Sequence, residues 1–194
     1  MRATSRAVTF SCCLALLSGC AAKYQEPATG ERARLRVVNV GPRVHTNVFI
    51  YPHVPASATC LANGEFGDRI SIALLDWDNG LHKHKQGVSI GIPGNEADRD
   101  ERFAETYIPA HKSFTLNIGG GGSIGGMGMV RGGCSGTASW IPDAGTDYEA
   151  VYDWNVCRLQ VYTIEPDKQE GKPIKRLANA KSLQLCGKSA KVAK

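Results

Sequence analysis

The stretch Trp140-Ile141-Pro142-Asp143-Ala144-Gly145-Thr146-Asp147-Tyr148-Glu149-Ala150 (WIPDAGTDYEA) sets a turn directly before a strand. Proline fixes φ, aspartate bonds its own backbone and glycine takes left-handed conformations, so residues 142–145 read as a turn. From Tyr148 through residue 154 (YEAVYDW) the apolar pattern has the period of two that marks a half-buried strand. Working outward, strands are also read at 33–40 (ARLRVVNV), 70–77 (ISIALLDW), 88–92 (VSIGI), 114–118 (FTLNI), 137–141 and 158–164 (RLQVYTI), and 48–51 adds a compact apolar run. In the first of these, Leu35 and Val37 alternate with Arg34 and Arg36. Turn clusters such as Asp78-Asn79-Gly80 and Pro93-Gly94-Asn95 separate the runs. Only 96–107 and 175–185 have the charge and helix formers for a short helix. The inventory predicts an all-β fold, an antiparallel β-sandwich with at most one or two short helices.

The turn followed by Tyr148 resembles the tyrosine corner of immunoglobulin-like and fibronectin-type sandwiches. That resemblance implies that the Tyr148 hydroxyl bonds back to the backbone of the preceding turn. An immunoglobulin domain proper has a Cys two residues after that Tyr, where this chain has Ala150, so the antibody-type disulfide is excluded there. Residues 107–116 (YIPAHKSFTL) form a second turn-then-strand unit.

The N-terminus has the grammar of an export signal: Arg2 and Arg6, then an apolar run over 7–17. That run is too short for a bilayer, which takes about 20 residues. Leu17-Ser18-Gly19-Cys20 closes it and resembles the bacterial lipobox, which implies removal of 1–19 and lipidation of Cys20. Several acyl chains hold a protein firmly to a membrane, whereas one does so marginally. By the same resemblance, Ala21 rather than Asp after the Cys implies the outer membrane, on its periplasmic face. The whole is similar in texture to uncharacterised bacterial β-sandwich lipoproteins. Residues 20–34, polar and without apolar periodicity, read as a flexible tether holding the body clear of the lipid. Residues 35–194 read as one sandwich domain.

Besides Cys20 the exported chain contains Cys60, Cys134, Cys157 and Cys186, which in that compartment read as two disulfides. A meander of 134–141, 147–154 and 157–164 would put Cys134 and Cys157 at one end, which pairs them and leaves Cys60 with Cys186. A zinc site is disfavoured because no Cys-x-x-Cys occurs. Of 23 Lys and Arg, two leave with the leader, so 21 remain against 18 acids. The segment 171–194 carries seven of these bases and no acid, and reads as a solvated C-terminus with some affinity for anionic headgroups. Nucleic acid is excluded as a partner by the compartment.

The sequence offers little chemistry. Gly120-x-Gly122-x-x-Gly125 formally matches a dinucleotide fingerprint, but no helix and no parallel βαβ unit surround it. Within this Gly-rich stretch, 119–133, Ile124, Met127, Met129 and Val130 supply an apolar contact surface for a partner. Asp76-Trp77-Asp78-Asn79-Gly80 lacks the Gly and Glu spacing of a calcium loop and reads as a hairpin turn. His82 and His84 share a strand face and, with His45, His53 or His111, make a metal site conceivable, but Lys83 and Lys85 interleave them and oppose a cation. His-Glu-x-x-His does not occur, and Gly121-Gly122-Ser123-Ile124-Gly125 matches Gly-x-Ser-x-Gly in letters only, since no helix is predicted after it as a nucleophile elbow needs. The expectation is therefore a non-catalytic, lipid-anchored binding or assembly module without cofactor or metal. Its expected contacts are the membrane, through Cys20, and an envelope protein or glycan. The alternative is an envelope hydrolase or an inhibitor of one.

Overall fold

The computed structural model describes residues 23–42, 45–62, 69–75, 85–94, 102–120, 134–166 and 173–186. They form an all-β sandwich, with no helix among them. One sheet has the order β10-β9-β8-β1-β5 and the other β11-β7-β6-β2-β4. The strands of the first are β1 (Arg32–Val40), β5 (Phe103–Pro109), β8 (Asp147–Asp153), β9 (Arg158–Glu165) and β10 (Ile174–Leu177). The second comprises β2 (Thr46–Ile50), β4 (Ile70–Leu75), β6 (Phe114–Gly120), β7 (Cys134–Trp140) and β11 (Lys181–Ser182). A small parallel pair joins β3 (Cys60–Leu61) to β12 (Gln184–Leu185). Pairing within the two large sheets is antiparallel except between β1 and β8, which run parallel in register Leu35↔Tyr148 and Val37↔Ala150.

Alternation drives the core. Ala33, Leu35 and Val37 of β1, Ala104 and Ile108 of β5, and Tyr148, Ala150 and Tyr152 of β8 face Val48, Ile72, Leu75, Leu116, Ile118 and Ala138 of the other sheet. A satellite cluster of Tyr51, Val54, Leu61 and Leu183 sits beside it. The tyrosine corner is present: the Asp143 amide donates to the Tyr148 hydroxyl at 3.0 Å. Trp140 packs against Phe114 edge-on at 5.1 Å and against Tyr148 at 5.9 Å. Residues 107–116 are a turn followed by a strand, as expected. They carry the chain from β5 in one sheet to β6 in the other, and the His111 amide bonds the Pro142 carbonyl at 2.8 Å, tying this crossover to the β7–β8 turn.

Both helix expectations fail where they can be checked. Residues 95–101 lie outside the described residues, but Phe103–Pro109 is a strand in full register with β1. Within 175–185, residues 174–177 extend β9, Lys181–Ser182 pairs with β7, and Gln184–Leu185 pairs with β3. Helix formers there are overruled by open sheet edges that supply backbone partners. The run 88–92 is no strand either. Gly91 at φ 85° turns it, and it forms a cover over the outer face of the first sheet. Of the basic segment, the described residues 173–186 form β10, β11 and β12 and end at the Cys60–Cys186 disulfide.

The proposed cysteine pairing is the observed one, Cys60–Cys186 and Cys134–Cys157. The reason is different. β7 is not a neighbour of β8 in a meander but belongs to the opposite sheet. Cys134–Cys157 therefore joins the two sheets, from the first residue of β7 to the β8–β9 turn.

The strands define two poles. β1, β4, β6 and β8 begin at the first, where β2, β5, β7 and β9 end. The second pole carries Cys134–Cys157 and both attachment points of the Gly-rich connection, Gly120 and Cys134. Glycine 120 belongs to β6, not to a loop: a Cβ there would lie 1.9 Å from the His45 carbonyl oxygen. Residues 121–133, with Ile124, Met127, Met129 and Val130, lie outside the described residues, as do Cys20, 76–80, His82 and His84.

A candidate binding cleft beside the tyrosine corner

The charged row that crosses the first sheet is occupied by its own partners. Arg36, Glu105 and Glu149 align in register across β1, β5 and β8, on the face turned away from the core. Alternation places Arg36 in solvent, yet it is fully buried, as are both glutamates. The cover formed by 85–94 accounts for this. Arg36 donates to Glu105 Oε1 at 2.8 Å, to Glu149 Oε2 at 3.1 Å and to the Pro93 and Ile92 carbonyls. Glu105 Oε2 accepts from the Ile90 and Ile92 amides and from Ser89. Lys175 donates to Glu149 at 2.6 Å and balances the charge. Burial raises the Glu105 carboxyl, but the Ile90 amide, the Arg36 guanidinium and the Ile92 amide outweigh it and hold the group below the usual carboxylate range. Gly94 closes the cover: a Cβ there would meet the Pro173 ring at 2.4 Å. One row on, Arg34 makes a bidentate pair with Asp147 at 2.6 and 2.7 Å. The charges of this row are paired with one another, and the row acts as a clamp between sheet and cover.

A cleft with unspent hydrogen-bonding capacity lies elsewhere, beside the tyrosine corner. Residues 178–180 cross from the edge strand β10 of one sheet to the edge strand β11 of the other. Between that crossing and the corner is a cleft of about 480 Å³, bounded by Trp140, Asp143, Tyr148, Thr163, Asn179 and Lys181. Trp140 is 5 % exposed, and its indole N–H has no hydrogen-bond partner among the described residues. An unmade bond at a buried donor costs about 1–3 kcal/mol, so such a group gains by meeting an acceptor from outside. The cleft is also lined by a carboxylate (Asp143), an amide (Asn179), a hydroxyl (Thr163) and the Lys181 ammonium, which donates to the Ala56 carbonyl at 3.1 Å. Aromatic walls with a few polar groups are the usual make-up of a small-ligand site. Burial raises the Tyr148 phenol, so it enters any such contact protonated.

Of the site residues expected from sequence, Cys134, Cys157, Cys60 and Cys186 are brought into two disulfides. Among the described histidines, His45, His53 and His111 are not gathered, and His111 instead lies 3.0 Å from Glu31. Sequence reasoning passed over the cleft because Trp140 and Tyr148 are equally good core residues. The only signal available was the turn itself, which marks where β7 leaves one sheet for the other. No helix among the described residues is long and apolar enough to cross a membrane. Comparison with family models, curated proteins and solved structures finds no match to the chain.

Proposed function

We propose that the protein is a lipid-anchored envelope module that binds rather than transforms its ligand, attached through Cys20 to the periplasmic face of the outer membrane. The observation that supports a binding role is the Trp140 cleft. The cleft is lined by Trp140, whose buried indole N–H has no partner among the described residues, and by Asp143, Thr163 and Asn179, a set that suits the neutral hydroxyl and amide groups of an envelope glycan. The clamp around Arg36 and the two disulfides support a rigid scaffold that presents such a site without rearrangement.

Two experiments test the two halves. For the anchor, Cys20→Ser should leave an unprocessed precursor that lacks acyl groups by mass spectrometry. Maturation and membrane fractionation like the parent would refute it. For the cleft, calorimetric titration with soluble envelope glycan fragments should give saturable binding that Asn179→Ala and Trp140→Phe each weaken by about 1–2 kcal/mol. Unchanged affinity in both variants would remove the cleft from the proposal.

A further inference from the structure

The sequence reading gives the body a long tether, but the chain is fastened to the sandwich almost at once. Lys23 forms a parallel bridge to Ser71, and the Tyr24 amide donates to the Ser71 carbonyl at 2.8 Å. The Tyr24 hydroxyl donates to the Tyr107 carbonyl at 3.0 Å, so this segment spans from β4 to β5 and closes that side of the sandwich. Glu26 continues the attachment through Thr106 at 2.8 Å and Lys85 at 2.5 Å. Three residue steps separate Cys20 from Lys23, and an extended chain covers at most about 11 Å in three steps.

Lys23 and Tyr24 are themselves one wall of a groove of about 350 Å³. Its other walls are mainly apolar or aromatic, Ile50, Pro52, Ile70 and Phe114 among them, with Gln25, Ser113 and Thr115 as neutral polar members, and among the described residues its only charged ones are Lys23 and Lys112. Both lysines and Pro52 are exposed. The nearest carboxylates on the same segment are engaged, Glu26 with Lys85 and Glu31 with His111. An apolar groove flanked by lysines, with an amphipathic tyrosine in its wall, matches the interface of an anionic bilayer, where lysine stems lie along apolar surface and their heads reach phosphate.

We infer that this groove is the membrane-docking face of the protein, seated on anionic phospholipid by the short reach from Cys20. The inference rests on the lipid-anchor reading and adds an orientation to it. The β4–β5 side of the first pole lies on the bilayer, and the second pole, with Cys134–Cys157 and the attachment points of the Gly-rich connection, points away from it.

The test uses the mature acylated chain in vesicles of phosphatidylethanolamine and phosphatidylglycerol, with photoreactive benzoylphenylalanine placed at Pro52 or, on the opposite pole, at the exposed Val156. Intact-protein mass spectrometry after irradiation should find lipid adducts several-fold more abundant for the Pro52 variant than for the Val156 variant. Lys23→Glu with Lys112→Glu should reduce the Pro52 adducts, and a Gly-Ser insertion between Ala22 and Lys23 should reduce them further. Equal adducts at both positions, or none at Pro52 in a chain whose acyl mass is present, would overturn the docking face and leave the anchor intact. A chain without acyl mass would instead overturn the anchor reading.

Discussion

At the scale of single residues, the molecule is decided by polar groups that alternation alone would put in water. Arg36 is held by two carboxylates and two carbonyls inside a shell with no solvent, and Glu105 is held by a guanidinium and two amides. Breaking a buried pair costs about 3–5 kcal/mol because the remaining charge stays desolvated. Glu105→Gln should therefore destabilise the fold by about that amount in urea titrations at neutral pH. Because the folded Glu105 carboxyl lies below its ordinary value of 4.5, its contribution is present above that value and is lost as pH falls through the folded one. The parent should lose stability steeply below about pH 4.5, and Glu105→Gln should show a shallower acid limb over the same range. An acid limb of unchanged slope would mean that other carboxylates carry it. At the tyrosine corner, Tyr148→Phe keeps the ring packing against Trp140 and removes one hydrogen bond, so the loss should be about 1 kcal/mol by denaturant unfolding.

At the scale of elements, two short segments close the sandwich along its opposite sides. Residues 23–31 bridge β4 to β5, and 178–180 bridge β10 to β11. Each disulfide holds a different part of this frame. Cys134–Cys157 encloses 23 residues of sequence separation and Cys60–Cys186 encloses 126. On the chain-entropy model these contribute about 3 and about 5 kcal/mol respectively. Cys60→Ser with Cys186→Ser should thus cost more than Cys134→Ser with Cys157→Ser, and should also loosen the Tyr51, Val54, Leu61 and Leu183 cluster. Hydrogen exchange should show that loosening as faster exchange at the Cys186 amide, which now bonds the Leu61 carbonyl at 2.9 Å. Equal losses from the two pairs would say that native packing, not loop closure, sets the contribution. Strand β6 has a sharper constraint. Gly120→Ala would drive a Cβ into the His45 carbonyl, and should cost about 1–3 kcal/mol, read as a lowered melting temperature.

For the molecule as a whole, the two poles carry different duties in the proposed reading. The first has the groove and, along its β10–β11 side, the Trp140 cleft; the second has the attachment points of the Gly-rich connection. Shortening that connection between Gly120 and Gly132 should leave the unfolding midpoint nearly unchanged while crosslinks to envelope partners in intact cells disappear. A fall of several kcal/mol would place Ile124, Met127, Met129 and Val130 in the core and end their role as contacts.

Period-two alternation, the turn at 142–145 and an even number of cysteines determined the all-β class, the tyrosine corner and the presence of two disulfides, whereas the pairing was reached through a meander that the fold does not contain. These are local signals, each carried by neighbours in sequence. Which sheet a strand joins is not local. Strand β7 crosses to the opposite sheet and β1 pairs in parallel with β8, because those arrangements bury both inner faces. The burial of Arg36 was equally illegible, since it depends on a cover fifty residues further along the chain, and a polar alternate reads as solvent-facing until something packs over it. The cleft and the groove arise where edges and poles of two sheets meet. Only packing brings Trp140 beside Asn179, or Lys23 beside Lys112, because the free energy that sets those distances belongs to the core as a unit and not to any segment of it.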